Sequence, residues 1–484
     1  MAVTRLHDTS PPAATSSFIE LGLPSALARA LQQQGIETPF PIQSATLPSS
    51  LAGLDVLGRG RTGSGKTYAF VLPVLARLAR NVAKPRPGRP RALILAPTRE
   101  LASQIEATMA PLAKALSLRT LTVFGGVGAG PQISALRAGV DIVVACPGRL
   151  ADHLAAGHVR LDSVEITVLD EADHMADLGF LPVVERLLAK TPATGQRLLF
   201  SATLDAGVDV LVRRFMTDPV THSVDSDRSP VAAMKHHVLH LRADQRLPVL
   251  IELTAAPGRT LVFTRTKHRA KALTRQLVSS GVPAVELHGN LGQSARTRNL
   301  DAFSTGTATV LVATDIAARG IHVDDVTLVI HADPPVEHKA YLHRSGRTAR
   351  AGAMGTVVTL MTDEQVTDVR DLTRKAGIKA TVTKLGAGHP LLAELAPGER
   401  SFTPPPPKQP SANRPPRRRG GDKPAKRRGH SAQAEPKPAE AKPKSEAKPD
   451  ARRGRSAAPV ASNRRSGAAS FSAATRAGAR RRSR

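Results

Sequence analysis

The sequence predicts an α/β protein with two domains, each built on a parallel β-sheet flanked by helices. Short and nearly continuous apolar segments alternate with helical stretches between residues 18 and 390, which is typical of parallel strands covered on both faces. The series is interrupted at 224–233 by a polar stretch that contains a proline. We therefore predict a linker at 224–233 between two domains.

The predicted strands form two series of similar length. They lie at 91–96, 118–124, 140–145, 165–170 and 196–202, and then at 259–264, 283–289, 308–314, 326–332 and 355–361. This pattern predicts a flexible N-terminus over 1–17, a first domain over 18–223 and a second over 234–390. Ligands of such sheets bind at the carboxyl ends of the strands, so the functional residues are expected there.

The charge of the chain is concentrated near its C-terminus. The formal net charge is +28, and residues 401–484 hold 23 Lys and Arg against 5 Asp and Glu. This region is rich in Pro, Ala, Arg and Lys and cannot bury enough apolar surface to offset its ordering entropy. We predict a disordered polybasic tail over 391–484. Such a tail either attracts nucleic acid by neutralising phosphates or only aids solubility, and the motifs below favour RNA.

Cysteine content and hydropathy limit the cellular compartments in which the protein is expected. Cys146 is the single cysteine, which excludes an internal disulfide and suggests a reducing compartment. The sequence contains no apolar run of about 18 residues, and its N-terminus lacks the apolar core of a secretory signal. We expect a cytoplasmic protein with no membrane partner, and the sequence leaves its oligomeric state open.

The segment GRTGSGKT at 60–67 fits the pattern of a phosphate-binding loop. Glycines allow backbone N–H groups to approach phosphate oxygens, Lys66 neutralises the β and γ phosphates, and the Thr67 hydroxyl can ligate Mg²⁺. A glycine-rich turn without a nucleotide would leave Lys66 and Thr67 unexplained. The predicted nucleotide-binding residues of this loop are Gly60, Arg61, Thr62, Gly63, Ser64, Gly65, Lys66 and Thr67.

Three carboxylates follow the predicted strand at 165–170: Asp170, Glu171 and Asp173. A carboxylate at a strand end beside a phosphate-binding loop is the usual partner of the nucleotide's Mg²⁺. We predict that Asp170 and Thr67 hold the metal, that Glu171 is the general base, and that Asp173 connects the site to another group. The alternative is a helix N-terminus whose dipole stabilises acidic side chains. Because no His and Cys cluster has zinc spacing, Mg²⁺ is the single metal expected.

The sequence DEAD at 170–173, together with GRTGSGKT, resembles the bacterial DEAD-box RNA helicases of helicase superfamily two. Further motifs of that family follow in order. They are GIETPFPIQ (35–43), APTRELA (96–102), GG (125–126), PGR (147–149), SAT (201–203), VFTRTK (262–267), HGNLGQSAR (288–296), ATDIAARGI (313–321) and HRSGRTARAG (343–352). The resemblance implies two RecA-like domains, ATP and Mg²⁺ as cofactors, and RNA as the partner.

The resemblance also assigns residues to the nucleotide. Phe18 and Gln43 would lie near the base, and the Gln43 amide suits the N6 and N7 edge of adenine, which favours ATP over GTP. Arg347 and Arg350 would be arginine fingers that reach the γ-phosphate across the cleft between the domains. The alternatives are a surface glutamine and a solvated basic helix face.

The resemblance further implies coupling and RNA-contacting residues. Ser201 and Thr203 would relay the ATP state through Asp173 and His343, although plain helix capping is the alternative. The predicted RNA contacts are Thr98, Arg99, Gly126, Gly148, Arg149, Thr264, Thr314 and Arg319. Most are donors or bare backbone, which suits phosphate and 2′-OH contacts rather than base reading. The chain has no Trp and two Tyr, so extensive base stacking is not expected.

The chain departs from the family pattern at three positions. His322 replaces an Asp that the family is thought to use at the ribose, which puts that contact in doubt. Cys146 replaces the usual Thr before PGR, and a thiol is a weak donor. Ile36 replaces an aromatic residue near adenine, and we expect it to pack in an apolar environment.

The expected activity is ATP-dependent local unwinding of RNA. ATP and single-stranded RNA would join two loosely tethered domains, and closure would bend one strand away from its partner. Two alternatives stay open: an ATP-gated RNA chaperone or clamp whose tail anneals strands, and a DNA-directed motor, against which the motif set speaks. The sequence does not name the RNA, and ribosome assembly, RNA decay and cold-stress remodelling are all compatible.

Overall fold

The computed structural model describes residues 17–60, 63–81, 83–204, 206–224, 234–318, 321, 323, 325–349 and 355–403. In this part of the chain, two seven-stranded sheets follow one another. Every strand pair in both sheets is parallel. The predicted fold class, two helix-flanked parallel sheets of the RecA-like kind, is confirmed.

The first sheet carries the segments in which the phosphate-binding loop and the acidic motif were predicted. Its strands are β1 (Val56–Arg59), β2 (Ala92–Leu95), β3 (Thr120–Val123), β4 (Ile142–Ala145), β5 (Ile166–Asp170), β6 (Gln196–Ser201) and β7 (Val220–Ser223). They lie in the order β3-β4-β2-β5-β6-β1-β7. Strands β2, β4, β5 and β6 are buried along their whole length, which explains their continuous apolar sequences.

Helices cover both faces of this sheet. They are α1 (Ser25–Gln32), α2 (Pro41–Leu51), α3 (Lys66–Arg80), α4 (Arg99–Ala115), α5 (Ala129–Ala138), α6 (Pro147–Ala155), α7 (Ala172–Asp177), α8 (Leu181–Leu188) and α9 (Ala206–Phe215). One apolar cluster joins the sheet to α1–α4, and a second joins its other face to α5–α9. Ile36 packs against the first cluster, as expected.

The second domain repeats the same arrangement. Its strands are β8 (Met234–His240), β9 (Arg259–Thr264), β10 (Ala284–Leu287), β11 (Val310–Thr314), β12 (Val326–His331), β13 (Gly355–Met361) and β14 (Thr381–Lys384). Its helices are α10 (Arg246–Thr254), α11 (Lys267–Ser279), α12 (Gln293–Ser304), α13 (Asp315–Ala318), α14 (His338–Ser345), α15 (Val366–Lys375) and α16 (Pro390–Leu395). The order β10-β11-β9-β12-β13-β8-β14 is that of the first sheet, strand for strand.

All ten predicted strands are present, and four further strands were not predicted. The edge strands β7 and β14 are partly or largely exposed, so they lack a continuous apolar sequence. Strand β8 has the sequence MKHHVLH, whose basic and imidazole side chains hide its strand character. Strand β1 is only four residues long. None of the helices in the described part of the chain has the length and apolar character that a membrane span requires.

The boundaries of the domains differ from the predicted ones. Leu392 and Leu395 of α16 lie in the core of the second domain. The Ser401 N–H donates to the Ala255 carbonyl at 2.9 Å, and the Thr403 N–H donates to the Gly281 carbonyl at 2.7 Å. The predicted start of the tail at 391 is therefore wrong, because these contacts fix the backbone up to Thr403.

The other boundary predictions are only partly covered by the structure. The Val224 N–H donates to the Arg59 carbonyl at 3.3 Å, so the first residue of the predicted linker belongs to the first domain. The remaining linker residues, 225–233, lie outside the described residues. So do residues 1–16 of the predicted N-terminal segment and residues 404–484 of the predicted tail.

The packing of α16 predicts a stability test. Leu392→Ala should lower the free energy of unfolding by about 2–4 kcal/mol, because it removes a fully buried leucine. A chain ending at residue 403 should keep the Tm of the full-length protein, whereas a chain ending at residue 389 should unfold at a lower temperature. Scanning calorimetry of the three chains measures this, and equal Tm values for both truncations would contradict the assignment of 390–403 to the domain.

Candidate active site

The loop between β1 and α3 has the conformation that phosphate binding requires. Gly65 precedes α3 with φ 88°, in the left-handed region. A β-carbon there would lie 2.7 Å from Gln43 Nε2 and 3.0 Å from Phe40, so both the backbone and the space demand glycine. The first N–H groups of α3 are left for an anion. Of the predicted loop residues, Arg61 and Thr62 lie outside the described residues.

Lys66 is the first residue of α3, and its ammonium group folds back over the loop. Its Nζ donates to the Gly60 carbonyl at 2.6 Å, and the side chain is largely buried. Thr67 follows it and is half-buried. Both predicted phosphate-site groups therefore lie at the N-terminus of α3.

Gln43 is tied to the phosphate-binding loop by its side chain. Its Nε2 donates to the Gly65 carbonyl at 2.8 Å, and the Phe40 N–H donates to its Oε1 at 3.0 Å. The amide retains one N–H and one carbonyl lone pair, the kind of donor and acceptor that the adenine edge needs, but the side chain as a whole is only 1% exposed. Its predicted role in base recognition stays a prediction.

The prediction that Phe18 contacts the nucleotide is wrong as a direct contact. Its ring is 3% exposed and packs in the core of the first domain. Phe40, which the motif comparison did not single out, is 50% exposed and lies beside Gly65. An aromatic residue three positions before Gln43 was the available signal.

Asp170 is a buried carboxylate that is short of positive charge. It ends β5, is 3% exposed, and accepts the Glu171 N–H at 3.0 Å through Oδ1. Burial raises its pKa to about 7, and although the charge of Lys66 acts in the opposite direction, the charge of Glu171 raises the pKa further. A cation supplied with the nucleotide would therefore be bound favourably here.

Glu171 is held ionised although it is buried. Its backbone has φ 50° and ψ 53°, a left-handed conformation that costs a non-glycine residue roughly 1–2 kcal/mol. Burial alone would raise its pKa, but the hydrogen bond with His174 and the charges of His174, Arg347 and Lys66 lower it to about 2. A carboxylate that is ionised at neutral pH suits the predicted general base.

Asp173 connects β5 to the end of β6. Its Oδ2 accepts from the Thr203 N–H at 3.0 Å and from the Thr203 hydroxyl at 2.9 Å. The Ser201 hydroxyl accepts from the Asp173 N–H at 3.3 Å and donates to the Thr203 carbonyl at 2.7 Å. The predicted contacts of Asp173 with Ser201 and Thr203 are thus present, and their relay function stays a prediction.

Arg347 brings positive charge from the second domain to the site of the first. It is buried, its Nη1 donates to the Ile321 carbonyl at 2.8 Å, and its charge lowers the pKa of Glu171. It lines a small cleft with His343, whose predicted coupling role stays a prediction. Arg350 lies outside the described residues.

The residues present suit a Mg²⁺ ion that arrives with a nucleotide. In the described part of the chain, no group of three or more His, Cys, Asp or Glu side chains could hold a metal ion. Mg²⁺ usually takes one or two carboxylates together with phosphate oxygens. The buried carboxylate of Asp170 and the hydroxyl of Thr67, in the first turn of α3, match that donor set.

The predicted RNA contacts of the first domain follow β2, β3 and β4 and so share one edge of the sheet. Thr98 caps α4 and accepts the Leu101 N–H at 3.2 Å. Gly126 has φ 80°, and a side chain there would collide with the Arg99 guanidinium. Nothing lies within 4 Å of where a Gly148 side chain would begin, so its backbone is open. The Arg149 Nη1 donates to the Val127 carbonyl at 3.2 Å.

In the second domain, the prediction for Thr264 is wrong. Its side chain lies inside the end of β9 with no exposed surface, so it cannot touch a phosphate. The exposed residue is Thr266, which caps α11 and accepts the Arg269 N–H at 3.2 Å. Thr314 is half-buried at the end of β11. Arg319 and the departure at His322 lie outside the described residues.

Thr98 and Thr266 are equivalent residues of the two domains. Their φ and ψ angles are −128° and 155° in one and −128° and 151° in the other. In both halves, a threonine followed by a basic residue lies two or three residues past the end of a buried strand and caps the next helix. That repeated pattern was the sequence signal for Thr266, although Thr264, followed by Arg265, matches part of it.

A polar group joins the two domains, and we call it the interdomain cluster: Glu100 and Arg296, which are buried, and Arg99 and Gln293, which are partly buried. Glu100 Oε1 accepts from Arg296 Nε at 2.8 Å and from Gln293 Nε2 at 3.3 Å. Arg99 Nη1 donates to Gln293 Oε1 at 3.1 Å. Burial alone would raise the pKa of Glu100, but the Arg296 hydrogen bond and charge lower it below its usual value.

Cys146 lies beside this cluster, at the start of α6. Its side chain accepts no cap hydrogen bond from the helix, and the predicted weak donation by its thiol stays a prediction. Burial raises the pKa of the thiol to about 12, and the charge of Glu100 adds to that effect. Cys146 is therefore a neutral thiol at physiological pH.

Two family models match the chain. One described as DEAD/DEAH box helicase matches residues 40–211, and one described as Helicase conserved C-terminal domain matches residues 244–352. ATP-dependent RNA helicase RhlB of Erwinia tasmaniensis is 37% identical over 403 residues, with coverage of 82% of this chain and 91% of that protein. DEAD-box ATP-dependent RNA helicase CshA of Bacillus subtilis is 35% identical, with coverage of 80% and 77%.

Plant relatives are longer, and solved structures share the architecture. The chloroplastic DEAD-box ATP-dependent RNA helicase 3A of Zea mays is 42% identical over 75% of this chain, which spans 49% of that protein's length. S. cerevisiae Dbp5 bound to RNA and ADP BeF3 has 28% identity and a TM-score of 0.67, with coverage of 76% of this chain and 96% of that one. Mss116p bound to ssRNA and AMP-PNP has 26% identity and a TM-score of 0.68, with coverage of 81% and 84%.

The burial of Asp170 predicts opposite effects on stability and activity. Asp170→Asn removes a buried charge, so it should stabilise the nucleotide-free protein at pH 8 by at most about 4 kcal/mol while abolishing ATP hydrolysis. Because folding raises the pKa of this carboxyl from 3.8 to about 7, its ionisation destabilises the fold progressively as the pH rises between those values. The advantage of the variant in urea denaturation should therefore vanish near pH 4, and an advantage that persists there would contradict this account.

The interdomain cluster predicts a variant that disfavours domain closure. In Arg296→Met, Glu100 is left buried without its partner, which costs about 3–5 kcal/mol unless the domains separate. The affinity for labelled single-stranded RNA in the presence of AMP-PNP, measured by fluorescence anisotropy, should fall by about tenfold or more. The double variant Glu100→Gln/Arg296→Met should recover part of that loss. Arg298→Met, an exposed arginine of the same helix, is the control, and an equal loss in it would contradict the closure mechanism.

Proposed function

Because this chain belongs to the DEAD-box ATP-dependent RNA helicases, we propose that it hydrolyses ATP to separate or remodel short RNA duplexes, largely without regard to sequence. The observation that carries the proposal is the direct contact between the domains, in which Glu100 accepts from Arg296 at 2.8 Å, and the charge of Arg347 acting on Glu171 agrees with it. The hydrolytic site is completed by both domains, so hydrolysis is tied to their closure.

Side chains of both domains contribute to the proposed hydrolysis. Lys66 and the N–H groups at the start of α3 bind the β and γ phosphates. A Mg²⁺ ion held by Thr67 and Asp170 would neutralise phosphate charge at this place. Glu171 orients the attacking water and accepts its proton, and the guanidinium of Arg347 stabilises the charge that develops on the transferred phosphoryl group.

The RNA-binding edge is completed by the same closure. Thr98, Gly148 and Thr266 offer hydroxyl and backbone groups at the carboxyl ends of strands in both sheets, and such groups contact phosphates and ribose rather than bases. The interdomain cluster lies beside Thr98. RNA and ATP are thus expected to favour one closed arrangement, and a strand bent to fit it would leave its duplex partner.

The cellular setting remains a proposal drawn from sequence. A cytoplasmic protein that acts on ribonucleoproteins of ribosome assembly or RNA decay is consistent with backbone-directed RNA contacts. Residues 401–484 carry 23 basic and 5 acidic side chains, a composition that would anchor the enzyme on RNA through phosphate neutralisation.

Steady-state ATP hydrolysis tests the proposal. The rate is measured without nucleic acid, with an RNA duplex that carries a single-stranded overhang, and with the matching DNA. We expect strong stimulation by RNA alone, both in the full-length protein and in a chain ending at residue 403. The shorter chain should bind RNA more weakly, because it lacks 23 of the 68 basic side chains and with them most of the net positive charge. No RNA stimulation in either chain would contradict the proposal.

Glu171→Gln separates the helicase from its alternative. The variant should hydrolyse no ATP and, in a helicase, should support no repeated separation of duplexes in a fluorescence unwinding assay. Wild-type-level unwinding or annealing by this variant would instead favour an ATP-gated clamp or chaperone. Stimulation by DNA equal to that by RNA would favour a DNA-directed motor.

A further inference from the structure

His174 contacts Glu171, the proposed general base, although it is not among the site residues predicted from the motifs. Its Nδ1 lies 3.1 Å from Glu171 Oε2, and both side chains are buried. The two residues are three apart at the start of α7, where the Met175 N–H donates to the Glu171 carbonyl at 3.0 Å. The first turn of the helix therefore holds the imidazole against the carboxylate.

The direction of this hydrogen bond is set by chemistry. An ionised carboxylate can only accept, so Nδ1 carries the hydrogen and His174 donates it. The bond occupies Oε2 and leaves Oε1 without this partner. In the described part of the chain, the other ring nitrogen, Nε2, is buried and has no hydrogen-bond partner.

A histidine at this position has a structural disadvantage. A buried polar atom without a partner costs about 1–3 kcal/mol. The neighbouring Ala172 and Met175 of the same helix pack in the apolar core, so an apolar residue at position 174 would avoid that cost. The presence of an imidazole is explained by its contact with Glu171 and not by packing.

The carboxylate of Glu171 needs such a restraint. The charges of Lys66 and Arg347 both act on it, and an untethered side chain would rotate towards one of them. That rotation would form an ion pair and withdraw the carboxylate from the water that it must orient. The Nδ1–H of His174, on the same helix, opposes this rotation through a directional hydrogen bond to Oε2.

We propose that His174 is a positioning residue for hydrolysis: its Nδ1–H holds Oε2 of Glu171 so that Oε1 faces the attacking water. The inference rests on the proposed function, since it assigns a role within that reaction. His174 touches neither the substrate nor the reacting atoms and acts through Glu171. Its loss should lower the rate of the chemical step and leave the binding of both ligands unchanged.

Two substitutions of His174 distinguish positioning from packing. His174→Leu should lower the RNA-stimulated kcat by about 10–100-fold, because a misplacement of about 1 Å can cost about 100-fold, with the KM values for ATP and RNA unchanged within error. Its Tm should equal or exceed that of the wild type, because the unpartnered Nε2 is removed. His174→Asn should recover most of the lost kcat, because its amide N–H occupies the place of Nδ1–H.

Two further variants calibrate the measurement. His222→Leu removes a histidine of the same domain that bonds the Ser49 hydroxyl at 3.2 Å outside the site, and it should keep the wild-type kcat. Glu171→Gln gives the rate without the base. Wild-type kcat in His174→Leu, beside an inactive Glu171→Gln, would overturn the inference and leave the proposed function intact. A loss of kcat accompanied by a lower Tm and no recovery in His174→Asn would assign His174 to packing. An RNA-insensitive wild type would overturn the proposed function and the inference together.

Discussion

Three carboxylates are buried at the carboxyl end of β5. Burying their charges is unfavourable, and hydrogen-bond donors and cations from neighbouring elements offset most of that free-energy cost. Strands β5, β6 and β1 are consecutive in the sheet, so the groups that follow them converge. Asp173 is satisfied by Thr203 after β6, and Glu171 by an imidazole and two cations. Asp170 receives one backbone N–H and the distant charge of Lys66. The least satisfied carboxylate is the one that a nucleotide-bound cation would complete.

The carboxyl edge of the second sheet, which has no predicted nucleotide site, can be compared with that of the first. Strand β12 occupies the place of β5, and the carboxylate that follows it, Asp333, is neutralised within its own domain by Arg246 at 3.0 Å and Arg269 at 2.9 Å. That edge is closed by internal ion pairs, whereas the edge of β5 is open to a ligand. Arg347 of the second domain is instead near enough for its charge to lower the pKa of Glu171 in the first, which is what the proposed shared hydrolytic site requires.

The fold and the polar motifs could be predicted from sequence because their residue types are dictated by chemistry. Fully buried strands need continuous apolar sequences, and a phosphate-binding loop needs Gly65 and Lys66. The sequence could not tell which side chains of a motif are buried. Thr264 and Phe18 match family positions, but tertiary packing decides whether each side chain points into the core or towards solvent. Helix α16 was missed because its short apolar sequence was averaged into the composition of a basic region.

The contacts that cross between domains were also beyond the sequence. Glu100 and Arg296 are separated by almost two hundred residues, and nothing local to either indicates the other. Phe40 shows the same limitation, because its exposure beside Gly65 follows from the packing of α2 on α3. Motif matching located these segments correctly and still could not say which of their side chains would meet.

The Glu100–Arg296 pair has a thermodynamic consequence for the enzyme as a whole. It is formed between protein side chains, so it contributes to the closed arrangement whichever ligand is bound. Linkage requires that RNA tightens ATP binding by the same factor by which ATP tightens RNA binding. A stronger pair would raise the population of closed molecules before either ligand arrives, improving both affinities and shrinking that common factor. One buried ion pair therefore adjusts affinity and cooperativity in opposite directions, and under the proposed function a stronger pair would raise ATP consumption in the absence of RNA.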